Sequence, residues 1–241
     1  MGKVLRVEFL KLRKSPIWLL VFISPALATL VGYGQSVEDI PFKWEMTLGS
    51  MAFIHALLFL PLLTGVFSAF VCRFEHIGGG WKQLLAMPVS RGNVFVAKFI
   101  IVLGLLALTQ VLFAAGLLFI GQVKGFAEVI PWKMILTSML GGLLACMPLA
   151  ALQLFVSTAW TSFAAPLAIN VVFTLPNILV VNSAEFGPYY PWGQPFLLML
   201  PGSEDSFGAL NVPLETLLIV ILGSFILFFL AGFTYFQRKE I

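Results

Sequence analysis

Runs free of Asp, Glu, Lys and Arg divide the chain into segments at 15–37, 46–72, 99–123, 134–184 and 216–237. A hydrocarbon core about 30 Å thick takes roughly 20 apolar residues of helix per crossing. Four of these runs fit one span each, and the run at 134–184 is long enough for two. The small hydroxyl residues and tryptophan at 157–162 mark the turn between those two. The predicted spans are 17–34, 47–72, 94–121, 132–156, 162–182 and 214–236. The alternating apolar and polar positions of a β-barrel are absent. The chain therefore reads as an all-α polytopic membrane protein with six transmembrane helices. Six helices use about 120 residues or more, so residues 1–241 are read as a single transmembrane domain.

Composition agrees with this pattern: 60% of residues are hydrophobic, 10% are charged, and the mean hydropathy is +1.00. A soluble domain carries about 25% charged residues, which this chain lacks, so soluble-enzyme and nucleic-acid-binding classes are excluded. The placement of the charges is more informative than their number. With the N-terminus in the cytoplasm, eleven of the fourteen Lys and Arg residues fall inside, and Lys43, Lys124 and Lys133 fall outside. The positive-inside rule then predicts cytoplasmic termini. The basic start, the apolar stretch 17–24 and Ala26-Leu27-Ala28 also fit a cleavable signal peptide. The apolar run continues through Tyr33, however, which favours an uncleaved first span.

Several chemistries lack their residues. Gly78-Gly79-Gly80-Trp81-Lys82 has neither the spacing nor the terminal hydroxyl of a phosphate loop, and no G-x-S-x-G or H-E-x-x-H occurs. His55 and His76 lie too far apart on one predicted helix to share a metal, so neither a catalytic nor a metal site is assigned, and no cofactor is implied. Cys72 and Cys146 sit in or beside apolar helices and imply no disulfide framework. No Asp, Glu, Lys or Arg is placed mid-span, which argues against ion-coupled transport. Energy must then come from elsewhere, or the protein is passive.

Three features remain. In segment 2–14, Leu5, Phe9 and Leu12 share one helical face while Lys3, Arg6, Arg13 and Lys14 point away, with Leu10 interrupting the polar side. This predicts a basic interfacial helix ended by Ser15-Pro16, or else a plain topology signal. The loop at 73–93 carries three glycines and then Trp81, Leu84 and Leu85 at i, i+3 and i+4, a short amphipathic helix ended by Pro88. Ser90 or Asn93 is positioned to cap the third span. Exposed anchors of this kind suit docking into a groove on a cytoplasmic partner, and equally an ordinary loop resting in the interface. The segment 182–214 holds five prolines with Tyr189, Tyr190 and Trp192, which fits an interfacial aromatic belt. Gln110, Gln153, Asn170 and Asn177 either line a substrate route between protomers or hydrogen-bond between helices.

Glu75, then Gly80-Trp81-Lys82-Gln83-Leu84-Leu85-Ala86-Met87-Pro88-Val89-Ser90-Arg91, then Lys98 resembles the E…G-x-x-x-L-L-x-x-P-x-S-R…K signature of ABC-2 type permeases. The Trp-Lys-Gln-Leu-Leu form and the N-terminal Leu-Arg-x-Glu-x-x-Lys-Leu-Arg-Lys-Ser are most similar to the lantibiotic-immunity and bacitracin-efflux branch. The resemblance implies that the loop contains a coupling helix fitting a separate ATP-binding subunit, with Glu75 ending the second span. Trp81, Lys82, Leu84, Leu85 and Pro88 would belong to the coupling loop. Trp81 stands where the wider superfamily usually has Thr. The resemblance also implies short re-entrant helices in 182–214 that lid an outward path. It further implies a bacterial plasma membrane and a second permease subunit, identical or paralogous.

The reading that follows is the permease subunit of an ABC exporter that removes an amphipathic peptide antibiotic from the membrane for self-protection. A membrane-embedded substrate-binding subunit without its own transport cycle is the alternative. A membrane enzyme comes third, for want of an acid, base or nucleophile cluster.

Overall fold

The computed structural model describes residues 1–37, 41–76, 80–86, 89–160, 162–200 and 208–239. Among them, five helices are long and apolar enough to cross a membrane. The first is α2 (Ile17–Gly34), preceded by the short α1 (Gly2–Leu12). The second is a continuous helix, Lys43–His76, made of α3 (Lys43–Ile54), a π turn (His55–Phe59) and α4 (Leu60–His76). The loop helix α5 (Gly80–Ala86) leads into α6 (Arg91–Val123), and α7 (Trp132–Ala159) follows. The chain then makes three short helices, α8 (Ala164–Thr174), α9 (Asn177–Val181) and α10 (Gln194–Met199), before the last long one, α11 (Leu214–Arg238).

The first span has the predicted bounds, and the others overrun theirs by a few residues at one or both ends. Ser90 rather than Asn93 caps α6, its hydroxyl accepting the Asn93 N–H at 3.3 Å. The segment 162–182 corrects an expectation, because it is two helices in tandem and not one. Pro176 has no N–H to continue the ladder, and its ring crowds the preceding turn. At 1.5 Å per residue, α8 alone is only about 16 Å long.

The break at Pro176 is matched by one in the neighbouring helix. Pro61 leaves the carbonyl of Leu57 without its donor four residues on, and the Asn177 amide supplies one at 2.7 Å. Its second hydrogen goes to the carbonyl of Trp192 at 2.9 Å. Asn170 donates in the same way to the carbonyls of Pro61 and Leu62, each at 3.1 Å, and accepts the indole N–H of Trp192 at 2.8 Å. Gly65 permits this approach, since a Cβ there would lie 2.3 Å from the Asn170 amide. Trp192 is therefore buried, not a member of an exposed aromatic belt, whereas Tyr189 is exposed.

Helix α7 is central and packs on α4, α6, α10 and α11, while α2 lies on α6 and α8 on α4. Phe95 and Phe99 of α6 interlock with Phe225, Phe229 and Phe233 of α11, ring centroids 5.1–6.1 Å apart. Lipid tails are as apolar as leucine, so close packing and polar pairs hold such helices together, not water exclusion. The remaining face of α11, with Leu222, Ile226, Leu227 and Leu230, is open to lipid. The short α10 is buried, its Met199 carbonyl accepting the Ser138 hydroxyl at 2.7 Å.

Asn170→Leu removes three hydrogen bonds in a dry environment, so it is expected to lower unfolding stability by about 1–3 kcal/mol. Thermal unfolding in detergent checks this, with Leu222→Ala on the lipid face as the near-neutral control.

Candidate functional site

The residues of the loop signature and the N-terminal helix meet at one end of the bundle. Gly80 starts α5 where the chain folds back on α4, and a Cβ there would lie 2.7 Å from the carbonyl oxygen of Phe74 and 2.8 Å from the Cα of Glu75. Only glycine allows that approach. Glu75 lies buried at the end of α4, beside Glu8 and Lys11 of α1 and Lys98 of α6.

These four side chains form a closed ring of alternating charge. Lys11 Nζ lies 2.7 Å from Glu8 Oε1 and 2.5 Å from Glu75 Oε1. Lys98 Nζ lies 2.9 Å from Glu8 Oε2 and 2.9 Å from Glu75 Oε2. It also donates to the carbonyl of Val71 at 2.7 Å. The Lys98 side chain is fully buried, both carboxylates nearly so, and Lys11 is 24% exposed. Two cations and two anions make the ring neutral, which is what allows four charges to leave water. Desolvating an ion costs several kcal/mol, and only close partners repay it.

Trp81 of α5 covers the ring. Its indole centroid is 5.6 Å from Lys98 Nζ and 6.0 Å from Lys239 Nζ, within cation–π range of both. The indole N–H donates to His76 Nδ1 at 3.3 Å. The other ring nitrogen of His76 then carries the hydrogen and donates to the carbonyl of Ser157 at 2.7 Å. Lys239 donates to the carbonyl of Thr158 at 2.6 Å, and burial holds its ammonium below the usual lysine range. Phe236 packs on the indole at 5.2 Å, and Arg91 donates to the carbonyls of Gln237 and Lys239 at the end of α11. Thus Trp81 ties α5 directly to α4, α6 and the end of α11, and His76 and Lys239 carry the connection on to α7.

This corrects the expected direction of the loop helix. Trp81 and Leu84, expected as outward anchors, are 7% and 8% exposed and face the bundle. The apolar face of a seven-residue helix finds its cover on the protein itself. Lys82 and Gln83 face outward. Leu85 lies within α5, but its side chain is outside the described residues, as is Pro88.

The polar residues of the spans do not gather into one lined path. Asn170 and Asn177 meet around Trp192 and donate to carbonyls of the second long helix, of which only that of Leu57 lacks its helical donor. Asn177 also lines a cavity of about 350 Å³, together with Val31, Phe53, Leu57, Thr174 and Ile178. Gln110 belongs to a separate thread: its Oε1 accepts from His55 Nε2 at 3.3 Å and its amide donates to Met199 Sδ at 3.4 Å. His55 Nδ1 takes the Ser24 hydroxyl at 2.6 Å, and the imidazole stacks on Phe113 at 4.4 Å. Gln153 is fully buried on α7 and takes part in neither group of hydrogen bonds.

Glu8, Lys11 and Lys98 carry the site without having been assigned to it from sequence. A signal was present for Glu8, the one acidic residue in a basic helix, which falls about 40° from Leu12 and about 60° from Leu5 at 100° per residue, on the side of the helix away from Lys3, Arg6, Arg13 and Lys14. Lys98 stands in the loop signature but was assigned to the aqueous side.

Residues 4–177 match the ABC-2 family transporter protein family. The chain is also similar to the bacitracin transport permease protein BCRB of Bacillus licheniformis, with 23% identity over 206 residues, covering 84% of this chain and 96% of that protein.

Removing Lys98 alone leaves two buried carboxylates sharing one partly exposed ammonium. Lys98→Met is therefore expected to cost about 3–5 kcal/mol of stability. The neutral pair Lys98→Met with Glu8→Gln should recover part of that loss, which thermal unfolding of the two variants in detergent measures.

Proposed function

The chain belongs to the ABC-2 family of transporter proteins and is a multi-pass membrane permease, and from this premise we propose that it works as the permease subunit of an exporter driven by a separate ATP-binding subunit. The observation that carries the reading is the attachment of α5. A short helix at the end of the bundle is tied through Trp81 to a buried ring that joins α1, α4 and α6. A push on α5 by a partner closing on nucleotide is then felt by three other elements at once. In the proposed orientation this end and both termini face the cytoplasm of a bacterial cell, in accord with the positive-inside distribution.

Two permease subunits, identical or paralogous, pair above two ATP-binding subunits. Nucleotide-driven closure shifts the population between closed and open pathways by favouring one position of α5. The buried α10 and its bonds to Ser138 and Gln110 fit a lid over the outer end of that pathway. The cargo in this reading is an amphipathic peptide antibiotic of the bacitracin or lantibiotic kind. Similarity to a bacitracin transport permease supports it.

In proteoliposomes holding the permease and its ATP-binding subunit, Trp81→Ala is expected to lower peptide-stimulated ATP hydrolysis by about tenfold while the subunits stay associated. Unchanged stimulation would remove Trp81 from the transmission route. Deleting the gene should sensitise its host to bacitracin or a lantibiotic, and unchanged inhibitory concentrations across such a panel would contradict the cargo assignment.

A further inference from the structure

At the end of the bundle opposite the charge ring, α10 is tied to α6 and α7 through Met199. Its carbonyl accepts the Ser138 hydroxyl at 2.7 Å, and its thioether accepts the Gln110 amide at 3.4 Å. Ser138 lies near the start of α7; Ser157, which meets His76, lies roughly 28 Å further along at 1.5 Å per residue. Gly142 leaves room for Met199, because a Cβ there would lie 2.6 Å from Met199 Cγ.

The two ties differ in strength. A thioether is a weak acceptor, so Gln110 holds the Met199 side chain loosely, while Ser138 holds its carbonyl firmly. What keeps the Gln110 amide turned toward the sulfur is its other end, where Oε1 accepts from His55 Nε2 at 3.3 Å. The imidazole is anchored in turn by the Ser24 hydroxyl at 2.6 Å and by its stacking on Phe113. Ser24, His55 and Gln110 are each at most 2% exposed, so every link is a buried bond.

His55 also opens the π turn. The Leu60 N–H donates to its carbonyl five residues back, and Pro61 follows without an N–H. Single π turns inside α-helices recur at functional sites. One residue gained or lost there rotates the helix by about 100° and moves it by about 1.5 Å along its axis. Such a change carries the imidazole off Gln110, whose place is set by the regular α6. The same helix runs on, roughly 30 Å further, to Glu75 in the charge ring.

We propose that His55 is the release point of α10. When the second long helix moves, the His55–Gln110 bond breaks, Gln110 lets go of Met199, and α10 loosens from α7. The inference rests on the reading of α10 as a lid and names the residues that hold it shut. His55 and Gln110 are positioning residues here, acting on α10 and not on cargo.

The test reads backbone hydrogen exchange of α10 in the whole permease in nanodiscs, with Lys98→Met as the control for general loss of stability. His55→Phe keeps an aromatic ring beside Phe113 but ends the bond to Gln110, and Gln110→Leu cuts the thread from the other helix. Each is expected to speed exchange at 196–200 by about tenfold and to leave α7 and α11 unchanged, whereas Lys98→Met should leave α10 unchanged. With the ATP-binding subunit of the host present, nucleotide closure should speed α10 exchange in the wild type and add nothing further in His55→Phe. Exchange at 196–200 indifferent to both substitutions would overturn the release mechanism and leave the exporter reading standing. Faster exchange spread evenly over all helices would make the thread a plain structural tie and overturn it too. A wild-type complex without peptide-stimulated ATP hydrolysis would instead contradict the exporter reading, with the hold on α10 still read from the permease alone.

Discussion

Four charges from three helices share one dry site, and they are tolerable there only together. Taking away any one leaves the remainder with a net charge in a medium that solvates it poorly. This constraint fixes α1 against α4 and α6 although its outer face carries exposed Val7, Phe9 and Leu10. It also gives α5 something to sit on: the indole of Trp81 lies against Lys98, whose charge is already committed to Glu8 and Glu75. This end of the bundle is thereby held more firmly than its short helices would be alone. A helix of seven residues has little intrinsic stability in water, and the packing of Trp81 and Leu84 supplies it.

The other half of the molecule solves a different problem in the same currency. Proline breaks in the second and fifth apolar segments leave backbone carbonyls unsatisfied where no water is at hand. Asn177 donates to the Leu57 carbonyl freed by Pro61, Asn170 donates to the next carbonyls of the same helix, and Trp192 joins the two. Residues that stand out in the sequence as polar exceptions within spans are thus held mainly by helix backbone. The Ser24–His55–Gln110 thread braces α2, the π turn and α6 at a third place. Polar groups in this bundle act as ties between helices whose apolar surfaces have no strong preference for one another over lipid.

The long helices were legible because bilayer thickness imposes their length on the sequence. Ile17–Gly34 has the predicted bounds, and the other long helices run past theirs where Ser90 caps α6 or Lys43 and Trp44 meet Glu128. The break at Pro176 escaped a hydropathy reading, which weighs apolarity and ignores a missing N–H. The charge ring escapes a reading that starts from charge-free windows, because such windows leave Lys and Glu at or beyond the ends of the spans and say nothing of pairing between them. Lys98 is buried by partners as far as 90 positions away in sequence, and no local pattern announces them. The spacing of Trp81, Leu84 and Leu85 did announce an amphipathic helix, but spacing does not say which surface covers the apolar face. Here the bundle covers Trp81 and Leu84, and Lys82 and Gln83 are the exposed side chains.

The central claim is that α1 and α5 are carried as one body by the ring between them. Spin labels at Arg6 and Lys82, both exposed, measure this directly in the permease assembled with its ATP-binding subunit. A second pair at Val31 and Ile178 reports on the cavity they line. On nucleotide closure the account predicts an unchanged Arg6–Lys82 distance and a changed Val31–Ile178 distance. A shift between Arg6 and Lys82 with Val31 and Ile178 static would contradict it.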